Sequence, residues 1–145
     1  MKIEVRENDL DPWKELDQYQ NNSQNLVGKY GATSVFIGTM RDFNENENVV
    51  GMTLEYYPGM TEKYLQQIVM TAMNKWSILD AMVIHRAGNL RPHDPIVLVA
   101  VWSAHRGAAY DANRFIMEEL KSTAPFWKKE TLDDGVRWLH KNTVS

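Results

Sequence analysis

Apolar residues fall along this chain in short runs of two different periods. Ile96 to Trp102 (IVLVAVW) is apolar without a break, as in a central strand covered on both faces. Ala32 to Met40 (ATSVFIGTM) and Val49 to Tyr57 (VVGMTLEYY) are rich in β-branched and apolar residues and predict two more strands, the first of them buried. Asp80 to His85 (DAMVIH) predicts another, and Lys2 to Val5 alternates as an edge strand would.

Helical spacing takes over between these runs. Asp9-Leu10-Asp11-Pro12 is a start signal, with Asp at the cap and Pro in the first turn. The helix that follows places Trp13, Leu16 and Tyr19 on one stripe and stops at Asn21-Asn22-Ser23. A second helix is predicted from Met60 to Trp76, after the Pro58-Gly59 turn, with Tyr64, Ile68, Met70 or Thr71 and Met73 near one face. After Ser103 a third stripe runs through Ala109, Ala112, Ile116 and Leu120, with Ala108 and Phe115 beside it and Asp111, Glu118 and Glu119 facing away. Pro125 prevents that helix from continuing.

The connecting segments are polar. Gly28 and Gly31 bracket a turn, and residues 41–48 (RDFNENEN) and 88–95 predict loops. Asp133-Asp134-Gly135 within Glu130 to Gly135 is a hairpin signal, with Val136 to His140 as the return strand. No repeat or linker interrupts the chain, so the pattern predicts a single α+β domain over residues 1–145, a mixed sheet with packed helices.

Composition narrows the function. A chain of 145 residues, 43% hydrophobic and 24% charged, is globular and long enough for a real core. It holds no apolar run near the ~20 residues that span a bilayer, and its first ten residues lack the apolar core of an export signal. With no cysteine there is no thiol nucleophile and no thiolate metal site, a composition that fits the cytoplasm. Residues 1–83 hold 7 Lys/Arg against 12 Asp/Glu, and residues 84–145 hold 9 against 7. That mild asymmetry argues against a general nucleic-acid binder and leaves room for a local anion pocket in the second half.

Candidate chemistry concentrates between Ser103 and Glu130. His105 and Arg106 follow the apolar strand and open a helix, where free N–H groups and the helix dipole already attract an anion. They either bind a phosphate or carboxylate there, or His105 caps and Arg106 is solvated. Lys121 sits near the helix C-terminus, and Lys128-Lys129 follow the stiff apolar insert Ala124-Pro125-Phe126-Trp127. Lysines anchored in that way are either a solvated pair or partly desolvated and suited to proton transfer or nucleophilic attack. Arg41 ends a predicted strand and could clamp a phosphate; His85-Arg86 end another; Arg137 lies beside Trp138. His85, His93, His105 and His140 are scattered without metal-ligand spacing, and no phosphate-loop, dinucleotide or nucleophile-elbow motif occurs.

His105 and Lys121 are sixteen residues apart, or roughly 24 Å on a helix at about 1.5 Å per residue. One chain cannot easily bring both helix ends to one small ligand. Two chains with these helices antiparallel across a two-fold axis could, His105-Arg106 of one approaching Lys121 and Lys128 of the other.

The segments VIHRAGNL (83–90), IVLVAVWSAHR (96–106) and LKSTAPFWKKE (120–130), with FIGTMR (36–41) and LEYYPGMTEK (54–63), resemble the catalytic (large) subunit family of molybdopterin synthase. The likeness covers roughly residues 30 to 140, and the spacing of Ser-x-His-Arg and Lys-x-x-x-Pro-x-Trp-Lys-Lys-Glu is specific. It implies an α/β hammerhead with an added antiparallel β subdomain. It also implies a sulfurtransferase that moves sulfur from the thiocarboxylated C-terminus of a small ubiquitin-like subunit to cyclic pyranopterin monophosphate, forming the molybdopterin dithiolene. The expected assembly is a heterotetramer built on a central homodimer, with neither cofactor nor metal required. By motif, Lys121 and Lys128 match the catalytic lysines, and Arg41, His105 and Arg106 the anion and pterin pocket, with His105 and Arg106 contributed across the dimer. Lys129, Phe36, Met117 and Arg137 are weaker matches around that pocket. Gly107-Ala108 and the Asn- and Glu-rich loop 41–48 depart from the family pattern, and the chain ends soon after Arg137, without a longer tail to contribute.

Two other readings compete. One is a non-catalytic module that binds a phosphorylated ligand or a protein C-terminus in the same basic pocket. The other is a single-stranded nucleic-acid binder using Phe126, Trp127 and the lysines, against which the net charge of −3 weighs.

Overall fold

The computed structural model describes residues 1–44, 47–133 and 135–139. In chain order these form β1 (Lys2–Arg6), α1 (Pro12–Asn22), β2 (Ala32–Thr39), β3 (Phe43–Asn44), β4 (Glu47–Tyr56), α2 (Met60–Lys75), β5 (Asp80–Arg86), β6 (Gly88–Leu90), β7 (Pro95–Ser103), α3 (Arg106–Thr123), β8 (Phe126–Leu132) and β9 (Gly135–Leu139). The strands make two sheets. One has the order β1-β5-β7-β2, with β1 parallel to β5 and the other pairs antiparallel. The second runs β3-β4-β8-β9 with β6 also on β4, all antiparallel. The architecture is the expected α+β fold: a mixed sheet with packed helices and an added antiparallel subdomain.

The unbroken apolar run of β7 follows from its position. Val97, Val99 and Val101 join Ala81 and Val83 of β5 in a cluster with Leu65, Val69 and Ala72 of α2 and Ala112, Ile116 and Leu120 of α3. Leu98, Ala100 and Trp102, with Met82 and Ile84, form a second cluster on the other face with Leu10 and Leu26, against which Leu16 and Tyr19 of α1 pack. Successive strand residues point to opposite faces, so a strand between two helical layers must be apolar at every position. A third cluster, Met40, Val49, Met52, Leu54 and Leu90, packs with Ile96 and Leu132 against the second sheet.

Asn113 is a buried polar residue on α3 whose Nδ2 donates to the carbonyls of Ser34 and Val99, both at 3.1 Å. It ties the helix to β2 and β7 at once, while Ser34 Oγ donates back to the Ala109 carbonyl at 2.6 Å.

Several expectations need correction. β2 is an edge strand rather than a buried one, with Phe36 41% exposed, because β7 covers one edge only. Trp13 is 66% exposed and leaves the α1 stripe to Leu16 and Tyr19. The α2 face is shifted: Thr61, Leu65, Ile68, Val69 and Ala72 are buried, whereas Met70 is 50% exposed. The methionines and Tyr64 scattered around this helix blur its period. The predicted loops 41–48 and 88–95 contain β3 and β6, both short strands that add to β4. The apolar insert after Ala124 is the start of β8, not a rigid connector. Asp134 of the hairpin signal and His140 of the return strand lie outside the described residues.

Replacing Asn113 by Ala removes the donor from two carbonyls without supplying another. We expect a loss of about 1–3 kcal/mol in unfolding free energy, read from the shift of a denaturant midpoint at constant slope.

Candidate functional site

α3 and β8 meet at a sharp corner. The helix ends at Thr123, Ala124 caps it in an extended conformation, and Pro125 leads directly into the strand. Lys121 sits in the last turn of the helix, where a cation is favoured. On β8 the side chains alternate, so Phe126, Lys128 and Glu130 share one face and Trp127 and Lys129 the other. The first face looks into a cavity of about 360 Å³ whose lining includes Phe36, Arg41, Asn44, Lys121, Lys128 and Glu130.

Within it Lys121 and Lys128 stand close enough to affect each other's protonation directly. Burial lowers the Lys121 pKa. Lys128 is brought down to about 7, first by burial and then by the Lys121 charge, with Glu130 acting in the opposite direction. The pair therefore gives up one proton near neutral pH. Glu130, itself buried, accepts from Arg137 Nε at 2.8 Å and from Asn44 Nδ2 at 3.2 Å. Arg137 also donates from Nη2 to the Asn44 carbonyl at 2.9 Å. This cluster joins β3, β8 and β9 at the cavity floor. Arg41 Cζ lies 5.3 Å from the centre of the Phe43 ring.

A second hollow of about 790 Å³ runs between β2 and α3, lined in part by Phe36, Tyr110, Asn113, Met117 and Lys121. Phe36 and Lys121 line both hollows, so the two are neighbours. No group of His, Asp and Glu capable of holding a metal occurs among the described residues.

Of the residues singled out in the sequence, Arg41, Phe36, Lys121 and Lys128 come together at the cavity. Met117 lines the adjoining hollow. Arg137 serves the cavity indirectly, by holding Glu130. Lys129 does not enter it: strand alternation turns it to the opposite face, where its Nζ lies 5.4 Å from the Trp138 ring centre. His105 and Arg106 are exposed at the far end of α3 and line neither hollow.

The MoaE protein family model matches residues 5–123. The chain belongs to the MoaE family. A molybdopterin synthase catalytic subunit from Ralstonia nicotianae is 52% identical over 137 residues, covering 94% of this chain and 76% of that one. The fold matches molybdopterin synthase from Staphylococcus aureus with a TM-score of 0.83 at 34% identity, over 96% of this chain and 98% of that one. A complex of subunits 1 and 2 of the molybdopterin-converting factor from Helicobacter pylori shares the fold at 18% identity, with a TM-score of 0.78, over 97% of this chain and 93% of that one.

In this MoaE chain Glu130 is not among the candidates marked in the sequence, and His85 is marked there only as one of two residues at a strand end. Glu130 ends the Lys-Lys-Glu motif, and reading 126–132 as a strand would have placed it beside Lys128. His85 lies near the end of an apolar strand like many core residues, and no local signal shows that it lies near two lysines.

Lys128 sheds its proton in the folded protein at lower pH than in the unfolded chain, where its value is 10.5. Stability should therefore rise as pH increases from about 7 toward 10.5, the interval in which only the unfolded chain holds that proton. Lys128→Met should be more stable than wild type at pH 7, by roughly 1–4 kcal/mol, and should lose that part of the pH dependence. Thermal melts between pH 6 and 10 check both.

Proposed function

We propose that this chain is the catalytic subunit of a molybdopterin synthase and works as a sulfurtransferase. Its substrates are cyclic pyranopterin monophosphate and the thiocarboxylated C-terminus of a small ubiquitin-like subunit. The observation that carries the reading is the buried pair Lys121 and Lys128, in a cavity that also holds Arg41. A pterin phosphate and a C-terminal tail are both anionic, and a cavity lined by these cations suits them. The high identity to a named catalytic subunit supports the same conclusion.

The chemistry asks for groups that move protons and for charge that stabilises an oxyanion. Each of two thiocarboxylates delivers one sulfur in the same way. The sulfur attacks a side-chain carbon of the pterin, and a C–S bond forms as that carbon's C–O bond breaks. The oxygen leaves with the phosphate or as water, and tail and substrate are joined as a thioester. Water then hydrolyses that link, so sulfur stays on the pterin and the tail leaves as a carboxylate. Lys128, brought down to about 7, is suited to accept a proton from the attacking water. Lys121, a cation beside it at the helix end, is suited to stabilise the oxyanion that forms on the acyl carbon.

His105 and Arg106 belong to the same reading through a second copy of the chain. α3 spans Arg106–Thr123 and holds them at the end opposite Lys121, so they complete the pocket of a two-fold partner. The assembly is then a central homodimer carrying one small subunit at each end. The cysteine-free composition fits a cytoplasmic location. None of the helices among the described residues is long and apolar enough to cross a membrane.

Lys121→Ala and Lys128→Ala should each lose most dithiolene formation, at least about 100-fold in kcat, while still binding the small subunit. Wild-type turnover in both would exclude the assignment. Shared sites make a second prediction. Lys121→Ala and His105→Ala chains, each inactive alone, should regain about a quarter of wild-type activity when dissociated and remixed in equal amounts, because half the dimers are mixed and each of those has one intact site. No recovery on mixing, with exchange verified by mass, would place both residues in one chain's site.

A further inference from the structure

His85 is the last residue but one of β5 and is almost completely buried. Its strand partner on β7 is Val97, which lines the lysine cavity, so the imidazole stands next to that wall. Its Nδ1 lies 2.7 Å from the Arg86 carbonyl oxygen. A carbonyl only accepts, so Nδ1 carries the hydrogen and Nε2 is bare. On its other side the ring stacks on Phe126, with centroids 4.0 Å apart and planes inclined by 20°.

Phe126 is two residues before Lys128 on the same face of β8. The stack therefore joins the first sheet, through β5, to the strand of the second sheet that carries Lys128. Lys121 comes from α3, whose apolar face packs on that first sheet. The separation of the two lysines depends on how the two sheets meet, and the ring pair is a direct contact across that junction.

We propose that His85 is a positioning residue of the lysine site: its uncharged ring, fixed by the Arg86 carbonyl and stacked on Phe126, sets the place of Lys128 relative to Lys121 and keeps water from the pair. Burial, followed by the charges of Lys121 and Lys128, pushes the imidazole down to about 3, so it adds no third positive charge at neutral pH. A neutral imidazole so weakly basic is unsuited to act as the general base itself. The charged and titratable groups around Lys128 are Lys121 from α3, Glu130 from β8, His85 from β5 and, on the cavity lining, Arg41.

Two variants separate the ring from the hydrogen bond. His85→Asn keeps a side-chain N–H for the Arg86 carbonyl and removes the ring. His85→Phe keeps a ring and removes the donor. The rate at which Lys128 reacts with acetic anhydride, followed against pH by peptide mass spectrometry on the free chain, reads the lysine without substrate. We expect half-reaction near pH 7 in wild type, an upward shift of at least about one unit in His85→Asn, and little shift in His85→Phe. The part in turnover rests on the sulfur-transfer reading above. There, kcat should fall about tenfold or more in His85→Asn, with KM nearly unchanged. If His85→Asn does not fold, Phe126→Leu removes the stack from the other side and should give the same shift.

An unshifted Lys128 profile in folded His85→Asn, or in Phe126→Leu taking its place, overturns the proposal. So does a shift in His85→Phe as large as in His85→Asn, which would show that a ring stacked on Phe126 is not what holds Lys128 in place. If the profiles shift as expected but the wild-type chain, supplied with thiocarboxylated small subunit and pterin, makes no dithiolene, the sulfur-transfer reading falls and the positioning of the lysines stands.

Discussion

Lys121 and Lys128 repel each other, and partial burial removes much of the water that would weaken that repulsion. Two unit charges about 4 Å apart in a medium of effective dielectric about 20 repel by about 4 kcal/mol. Removing the proton from an ordinary lysine at pH 7 costs about 5 kcal/mol. Burial is the larger cause for Lys128 and this repulsion adds to it, so that one proton of the pair is poised near neutrality. A site that needs one amine free and one charged at the pH of the cell obtains both from burial and this contact together.

Such a pair persists only if the backbone holds each lysine from a different direction. Lys121 is fixed by α3, whose stripe of Ala112, Ile116 and Leu120 is buried on the first sheet. Lys128 is fixed by β8, hydrogen-bonded between β4 and β9 in the second. The helix–strand corner at Ala124-Pro125 sets the two directions. Glu130, held by Arg137 and Asn44, supplies a negative charge on the same strand face without neutralising the pair, since its own acceptor sites are already engaged. The site sits where the sheets join, and residues at that junction such as His85 and Phe126 bear on its chemistry from outside the cavity.

The unequal use of polar residues fits this arrangement. Buried polar side chains at Ser34 and Asn113 are satisfied by backbone partners and belong to the packing of β2, β7 and α3. The lysines are different, because no carboxylate pairs directly with either among the described ion pairs. Protein interiors seldom leave charges in that condition without a functional reason.

By itself the sequence determined the elements whose period is strict. β7 and the α3 stripe were legible because a strand between two layers must be apolar throughout and a helix on a sheet must repeat at helical spacing. It also marked Lys121, Lys128 and Arg41 as candidates, and the length of α3 separated His105 and Arg106 from Lys121. The face of α2, the exposure of β2 and the pairing of β3 and β6 were not legible, because each depends on which neighbour covers an edge or a flank. Only the tertiary structure turned Lys129 away from the cavity and brought His85 near the lysines. Strand alternation decides the first once 126–132 is known to be a strand. The second joins residues more than thirty positions apart, and no local pattern in the chain records such a contact. The segment from Ser103 to Glu130 thus named its own cations, while the meeting of two sheets decided which of them form a pair.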